Sequence, residues 1–395
     1  MKILCISDHH RHELGCAAAL KAQGFEVEYF AIGYVPSFPL NSGTKELTVS
    51  TNAGDFTIPV TVISQLSLPR TINGILPSIC RQFRLEEESF DLIMATPGTP
   101  WWVGYHLAMR IQAPLALRLW GFKALKIKSC LSFRDYVGVA TLFVPSVIHC
   151  TLECALSKAV ISIDYNTWST LQKWMFWNRE KTSLAYPNFA ILKSENRKGK
   201  GSINKLLSNI LEDSDYILSI CSVSYKNANA AENFLFNTLV RIAKQNPKLV
   251  VVIVGTSTLD LQRSSLLNHV PNNLLCLGRI YSDSFLEYLY KKAKLVVAPV
   301  FWGTTSNRLI EAFYYGKPIL TNTMAKHLFP ELKHKKNAYF SDRYDKYGQI
   351  VNMLCNSSDL LKELELGSIN ASQTLFSTRM VGHILKNIIE KKILS

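Results

Sequence analysis

The chain has 395 residues, 48% hydrophobic and 19% charged, which excludes long disorder and exceeds what one ordinary core holds, so two or three domains are expected. Forty-four Lys and Arg against 30 Asp and Glu give +14, which favours anionic partners: nucleotides, phosphorylated substrates, phospholipid surfaces or nucleic acid. The 9 cysteines show no repeated short spacing, which argues against a disulfide framework and for reduced thiols in a cytoplasmic setting.

In chain order, KILCIS reads as a strand running into Asp8, with no apolar signal-peptide region behind it. HELGCAAALKAQ reads as a helix stopped by Gly24, and FEVEYFAIG as the next strand. FDLIMAT, APLALRLWG and KAVISID continue the series, with helical stretches such as WWVGYHLAMRIQ between them. Such alternation indicates parallel βαβ units and a doubly wound domain over residues 1–190. Residues 137–152 carry no charged side chain, but the run is shorter than the roughly 20 residues of a membrane span and contains Pro145, so a buried helix is expected. Near its end, His149, Cys150 and Cys154 approach a metal set but lack a second ligand pair, and no metal is expected.

Residues 191–213, with KSENRKGKGS, read as a polar linker. A second series, YILSIC, NPKLVVVIVG, NNLLCLG, KLVVAPV and KPILTN, predicts another open α/β domain over 214–372. In the remaining 373–395, Val381, Ile384, Leu385, Ile388 and Ile389 share one face of a packing helix.

The apolar strand KLVVAPV is followed by FWGTTSN, at the strand end where open parallel sheets bind ligands. Thr304, Thr305, Ser306 and Asn307 offer caps for a helix through RLIEAFYY that stops at Gly316. Its first amides, from Thr305 through Ser306 and Asn307 to Arg308, suit a diphosphate, and Gly303 lets the backbone approach closely. Glu311, early in that helix, is placed to accept bonds from two ribose hydroxyls; the alternative is a surface carboxylate that favours the helix start and pairs with Arg308.

GTTSNRLIEA followed by GKPIL resembles the nucleotide-sugar motif of GT-B glycosyltransferases, in particular the retaining family 4 group, the glycosyl transferases group 1. PLALRLWG, SKAVISIDYNTWSTLQ with YPN, NPKLVVVIVG and NNLLCLGRIYSDSFLEYLYKKAKLVVAP extend the resemblance in order over most of the chain. It implies an α/β GT-B fold of two Rossmann-like doubly wound domains facing an interdomain cleft. The N-terminal domain would take the acceptor and the C-terminal domain the donor, with the tail helix returning to the N-terminal domain as it often does in this family.

The resemblance further implies a retaining, metal-independent hexosyltransferase acting on a nucleotide diphosphate sugar as co-substrate, with no cofactor. Glu311 would hold the ribose, and the amides around Ser306, Asn307 and Arg308 the diphosphate. Gly303 stands where the first Glu of the E-x7-E form would be. In CSVSYKNAN, Lys226 lies near the family's phosphate-binding lysine, while Ser222 occupies the place of its arginine. Trp120 stands where many relatives have a histidine, though some carry Trp-Gly there.

The first βα turn, SDHHRHELG, gathers His9, His10 and His12 beside Asp8 and Glu13 in acceptor territory, where they form either a base or metal set or a polar loop. Trp120, Trp101 and Trp102 are sugar-stacking candidates or core aromatics. Lys123, Lys126 and Lys128 suggest an anionic membrane surface or a lipid-linked diphosphate, or a solvated helix face. The expected partners are a nucleotide sugar and a glycan or lipid-linked acceptor, at a cytoplasmic location that includes the cytosolic membrane face. Nucleic acid is not expected, since no aromatic-and-basic recognition module is present. Because of Gly303, Ser222 and Trp120, a non-catalytic sugar- or nucleotide-binding protein of the same fold is the alternative.

Overall fold

The computed structural model describes residues 1–8, 10–32, 43–63, 89–121, 147–193, 215–222, 230–263, 270–280, 282–301 and 306–394. They divide into two compact units: the described residues within 1–121, 147–193 and 373–394, and those within 215–372.

The first unit is built on a nine-stranded sheet among the described residues. Its centre is β1 (Lys2–Ser7), flanked by β2 (Glu26–Ile32) and β5 (Leu92–Ala95), and β6 (Leu115–Leu119), β7 (Ala159–Ser162) and β8 (Thr182–Leu184) extend it beyond β5. These strands are all parallel. Their apolar runs, LIMA and AVIS among them, are fully buried, as strands covered on both faces must be.

On the far side of β2 stand β4 (Gly54–Ile63), parallel to it, and β3 (Gly43–Thr51), antiparallel to β4. This hairpin is not among the expected elements, although KELTVS and FTIPVTV alternate about the turn at Asn52 and Ala53. Pro59 weakens the strand signal; it stands opposite Glu46 of β3 and one residue before the pairing of β4 with β2 begins at Val60. Ile191 and Leu192, expected in the linker, instead form the short strand β9 against the open edge of β3, where the Lys193 amide donates to the Thr48 carbonyl.

Two layers cover the first sheet. On one face the helix His10–Lys21 packs with the tail helix Thr378–Ile388, whose Val381, Leu385 and Ile388 are buried. Ser377 caps the tail helix, accepting the Met380 amide at 3.1 Å. Gly382 lets it approach: a Cβ there would lie 2.4 Å from the Ala19 carbonyl oxygen. On the other face lie Thr99–Ile111, the helix over 147–156 and Tyr165–Trp174. The expectation of a buried helix over 137–152 holds only for one side of its described end. Cys150 and Cys154 point inward, while Ile148 and Leu152 are exposed.

The second unit has six parallel strands: β10 (Tyr216–Ile220), β11 (Val250–Val254), β12 (Leu274–Cys276), β13 (Leu295–Val297), β14 (Ile319–Thr321) and β15 (Tyr339–Phe340). Their order, β12-β11-β10-β13-β14-β15, reverses direction between β10 and β13. That reversal opens a crevice at the carboxyl ends of β10 and β13, because the connections leave toward opposite faces.

Candidate functional site

The segment after β13 enters this crevice. Asn322, at the end of β14, pins it by accepting the Val300 amide at 2.9 Å and donating to the Val300 carbonyl at 2.7 Å. The helix Asn307–Tyr314 then begins at Ser306, whose extended backbone marks the N-cap and whose hydroxyl makes no capping bond. Gly316, at φ 65°, ends the turn that follows it. Gly303, Thr305 and Lys226, three of the expected donor residues, lie outside the described residues.

Glu311 is not the surface carboxylate that its early position suggests. It is 8% exposed, because the helix is enclosed on every side over this turn, where Leu309, Ile310, Ala312 and Phe313 are buried as well. Its Oε2 accepts the Tyr290 hydroxyl at 3.0 Å. Tyr290 is itself fully buried and stacked on Tyr315, with ring centroids 4.8 Å apart. Burial, and then the neighbouring carboxylate, push the Tyr290 hydroxyl well above its ordinary pKa, so it remains a donor and fixes how Glu311 is turned.

Arg308 pairs across the crevice rather than along its own helix. Its Nη2 lies 2.6 Å from Oε1 of Glu232, in the helix Ala230–Gln245 after β10. Oε2 of Glu232 accepts the Ser222 amide at 3.0 Å. One carboxylate thus joins the exits of β10 and β13, the two strands that border the reversal. Glu232 went unnoticed in the sequence; its only local signal is an acid in the first turn of a helix. An anion entering here meets a guanidinium already held by a carboxylate.

In the first unit, the matching reversal lies between β1 and β5, and the polar groups at its carboxyl edge are tied down. Thr96 Oγ1 donates to Ser7 Oγ at 3.1 Å. Glu13 Oε1 accepts both Arg118 Nε at 2.7 Å and the Trp120 indole N–H at 2.5 Å. Arg118 is fully buried, and among the described residues its two terminal nitrogens have no hydrogen-bond partner.

His12 is 2% exposed and packs edge-on against Trp120, with centroids 5.4 Å apart, and against Phe189. Its Nδ1 lies 3.3 Å from the Asn188 carbonyl oxygen. His9 lies outside the described residues, as does the side chain of His10, which opens the helix. The structure therefore brings His12 and Trp120 together at Glu13. His149 is engaged on both nitrogens, by Glu153 at 3.0 Å and the Trp102 indole at 2.9 Å. Among the described residues no group of three His, Cys, Asp or Glu side chains is arranged for a metal.

Residues 214–356 match the family model described as glycosyl transferases group 1. No curated protein matches the chain by sequence. Among solved structures the chain is similar to sucrose-phosphate synthase from Thermosynechococcus elongatus, with TM-score 0.67, 14% identity and 99% of each chain covered. It is also similar to HepE from Anabaena in complex with UDP and glucose, with TM-score 0.64, 16% identity, and 99% of this chain and 100% of that chain covered. UDP-GlcNAc 2-epimerase from Neisseria meningitidis, bound to UDP-GlcNAc, has the same architecture at TM-score 0.55 and 12% identity, covering 99% of this chain and 100% of that one. These likenesses give the fold: GT-B, with two Rossmann-like domains.

Proposed function

With residues 214–356 carrying the glycosyl transferases group 1 match, we propose that this protein is a retaining, metal-independent hexosyltransferase. It moves a sugar from a nucleotide diphosphate sugar to a glycan or lipid-linked acceptor. The observation that supports the reading is Glu311, a buried carboxylate oriented by Tyr290 on the helix that follows β13, one of the two strands at the strand-order reversal.

On this reading, Glu311 accepts the ribose hydroxyls, and the amides that open the helix Asn307–Tyr314 receive the diphosphate, where the helix dipole favours negative charge. Arg308 supplies a cation to the same group when it exchanges Glu232 for phosphate oxygens. Bond cleavage places charge on the leaving diphosphate, and fixed amides with a guanidinium stabilise that charge without a metal. In the first unit, Trp120, held by Glu13, offers its ring to the acceptor.

The same fold serves an epimerase, so the test must separate the reactions. Thermal shifts with UDP, GDP, ADP and CMP and their sugars select the donor, since ligand at 100 times its dissociation constant adds about 2.7 kcal/mol. Incubating that donor with candidate acceptors, and following the anomeric proton by NMR, is expected to give a glycoside of unchanged configuration with release of nucleoside diphosphate. Epimerised free nucleotide sugar, or binding without turnover, would refute the transferase reading.

A further inference from the structure

The three helices on the β5–β8 face of the first unit return from the carboxyl edge of the sheet to its amino edge, as parallel crossovers require. Their inner sides share one core with Trp101, Leu107, Cys154, Leu171 and Met175. Their outer sides at the amino edge are apolar. Met109, Leu152, Leu156, Trp174, Phe176 and Trp177 are between 45% and 66% exposed.

These side chains stand on neighbouring elements. Met109 stands two turns beyond Trp102 on one helix, and Leu152 and Leu156 stand one and two turns beyond His149 on the next. Trp102 and His149 themselves pack together, with centroids 5.5 Å apart. Lys181 then donates to the Ala155 carbonyl at 3.3 Å, which joins the turn bearing Phe176 and Trp177 to the end of that second helix.

Large apolar side chains scattered singly on a surface need no explanation, but a set gathered at one edge does. The charges around this set have one dominant sign. Arg110, Lys158, Lys173 and Arg179 are exposed beside it and Lys181 is half-buried at its border, while Glu180 is the exposed acid of these stretches. Aromatic rings among cations match the boundary between lipid headgroups and acyl chains, where Trp and Phe bury their rings and Lys and Arg meet phosphates. No helix among the described residues is long and apolar enough to cross a membrane, so this chemistry describes a seat on a bilayer rather than a span.

We propose that the amino edge of the first unit docks on an anionic phospholipid bilayer, with Trp174, Phe176 and Trp177 entering the headgroup layer. The inference rests on this surface alone and does not depend on glycosyl transfer. It leaves the carboxyl edge of the same sheet, with Glu13 and Trp120, on the side away from the lipid.

The test is cosedimentation of the full chain with vesicles of phosphatidylcholine, alone or mixed with phosphatidylglycerol. The unmodified chain is expected to pellet with the mixed vesicles, and less so as salt is raised. Phe176→Ser combined with Trp177→Ser should abolish pelleting while leaving the melting temperature unchanged, since both rings are exposed. Lys158→Glu with Lys173→Glu should weaken it by at least about thirtyfold, given the attraction of each cation for an anionic surface. Failure of the unmodified chain to pellet with mixed vesicles overturns the proposal. So does undiminished pelleting of both variants, or a serine variant that converts a dimer to a monomer while its vesicle binding is unchanged.

Discussion

Arg308 and Glu232, 76 residues apart in sequence, meet at 2.6 Å, and the Glu232 carboxylate also holds the Ser222 amide. Glu232→Ala removes both contacts at once. Because the pair is partly exposed, at 21% and 10%, the expected loss is about 2 kcal/mol rather than the larger cost of a fully buried pair. Urea denaturation measures it. Glu232→Gln keeps an oxygen for the Ser222 amide but drops the charge, so calorimetric titration with inorganic diphosphate should show tighter binding as Arg308 is released.

Glu311 needs two substitutions to separate its roles. Glu311→Ala strands the fully buried Tyr290 hydroxyl and is expected to cost about 1–3 kcal/mol, so any loss of nucleotide binding there mixes with instability. Glu311→Gln retains an acceptor for Tyr290 and should melt nearly as the parent does. If it also binds the selected nucleotide as tightly as the parent, Glu311 is a structural acceptor and not a ribose ligand.

Glu13 holds one fully buried guanidinium and one indole. Glu13→Ala leaves Arg118 charged and uncompensated, and about 3–5 kcal/mol of stability should be lost, visible as a lowered denaturation midpoint. Trp120→Phe removes only the indole donor and is expected to stay folded. A drop in kcat/KM for the acceptor in that variant, with nucleotide binding intact, would mark Trp120 as a contact of the reacting sugar.

His334 sets a pH dependence in the second unit. Its Nδ1 accepts the Phe340 amide at 3.0 Å, which demands an unprotonated nitrogen. Partial burial, then Lys335 and Lys326, lower its pKa below the ordinary histidine value. As pH falls, the unfolded chain takes the proton first. The stabilisation is therefore complete above about pH 6.5 and declines as pH drops through and below that value. Thermal melts from about pH 8 to about pH 5 should show this slope, and His334→Gln should flatten it.

What the sequence made legible was whatever repeats locally. Runs such as KILCIS and VVVIV, with helices between them, announce parallel sheets, and the spacing of Val381, Leu385 and Ile388 announces a packing helix. GTTSNRLIEA located a helix start after an apolar strand, and the crevice is there. The partners of its side chains were not legible. Tyr290 lies 21 residues before Glu311, on the helices that precede and follow β13, and Glu232 lies 76 before Arg308, brought within reach by the pairing of β10 with β13. The hairpin of β3 and β4 was missed for a different reason: alternation broken by Pro59 carries less signal than an unbroken apolar run.

The tail helix has a temporal consequence. Gly382 seats it against Ala19, so residues made early in synthesis are covered by residues made only after the whole second unit has been translated. Until then the outer face of His10–Lys21 has no lid, and its apolar side chains are open to chaperones. The second unit, whose described residues all lie within 215–372, needs no segment made after it.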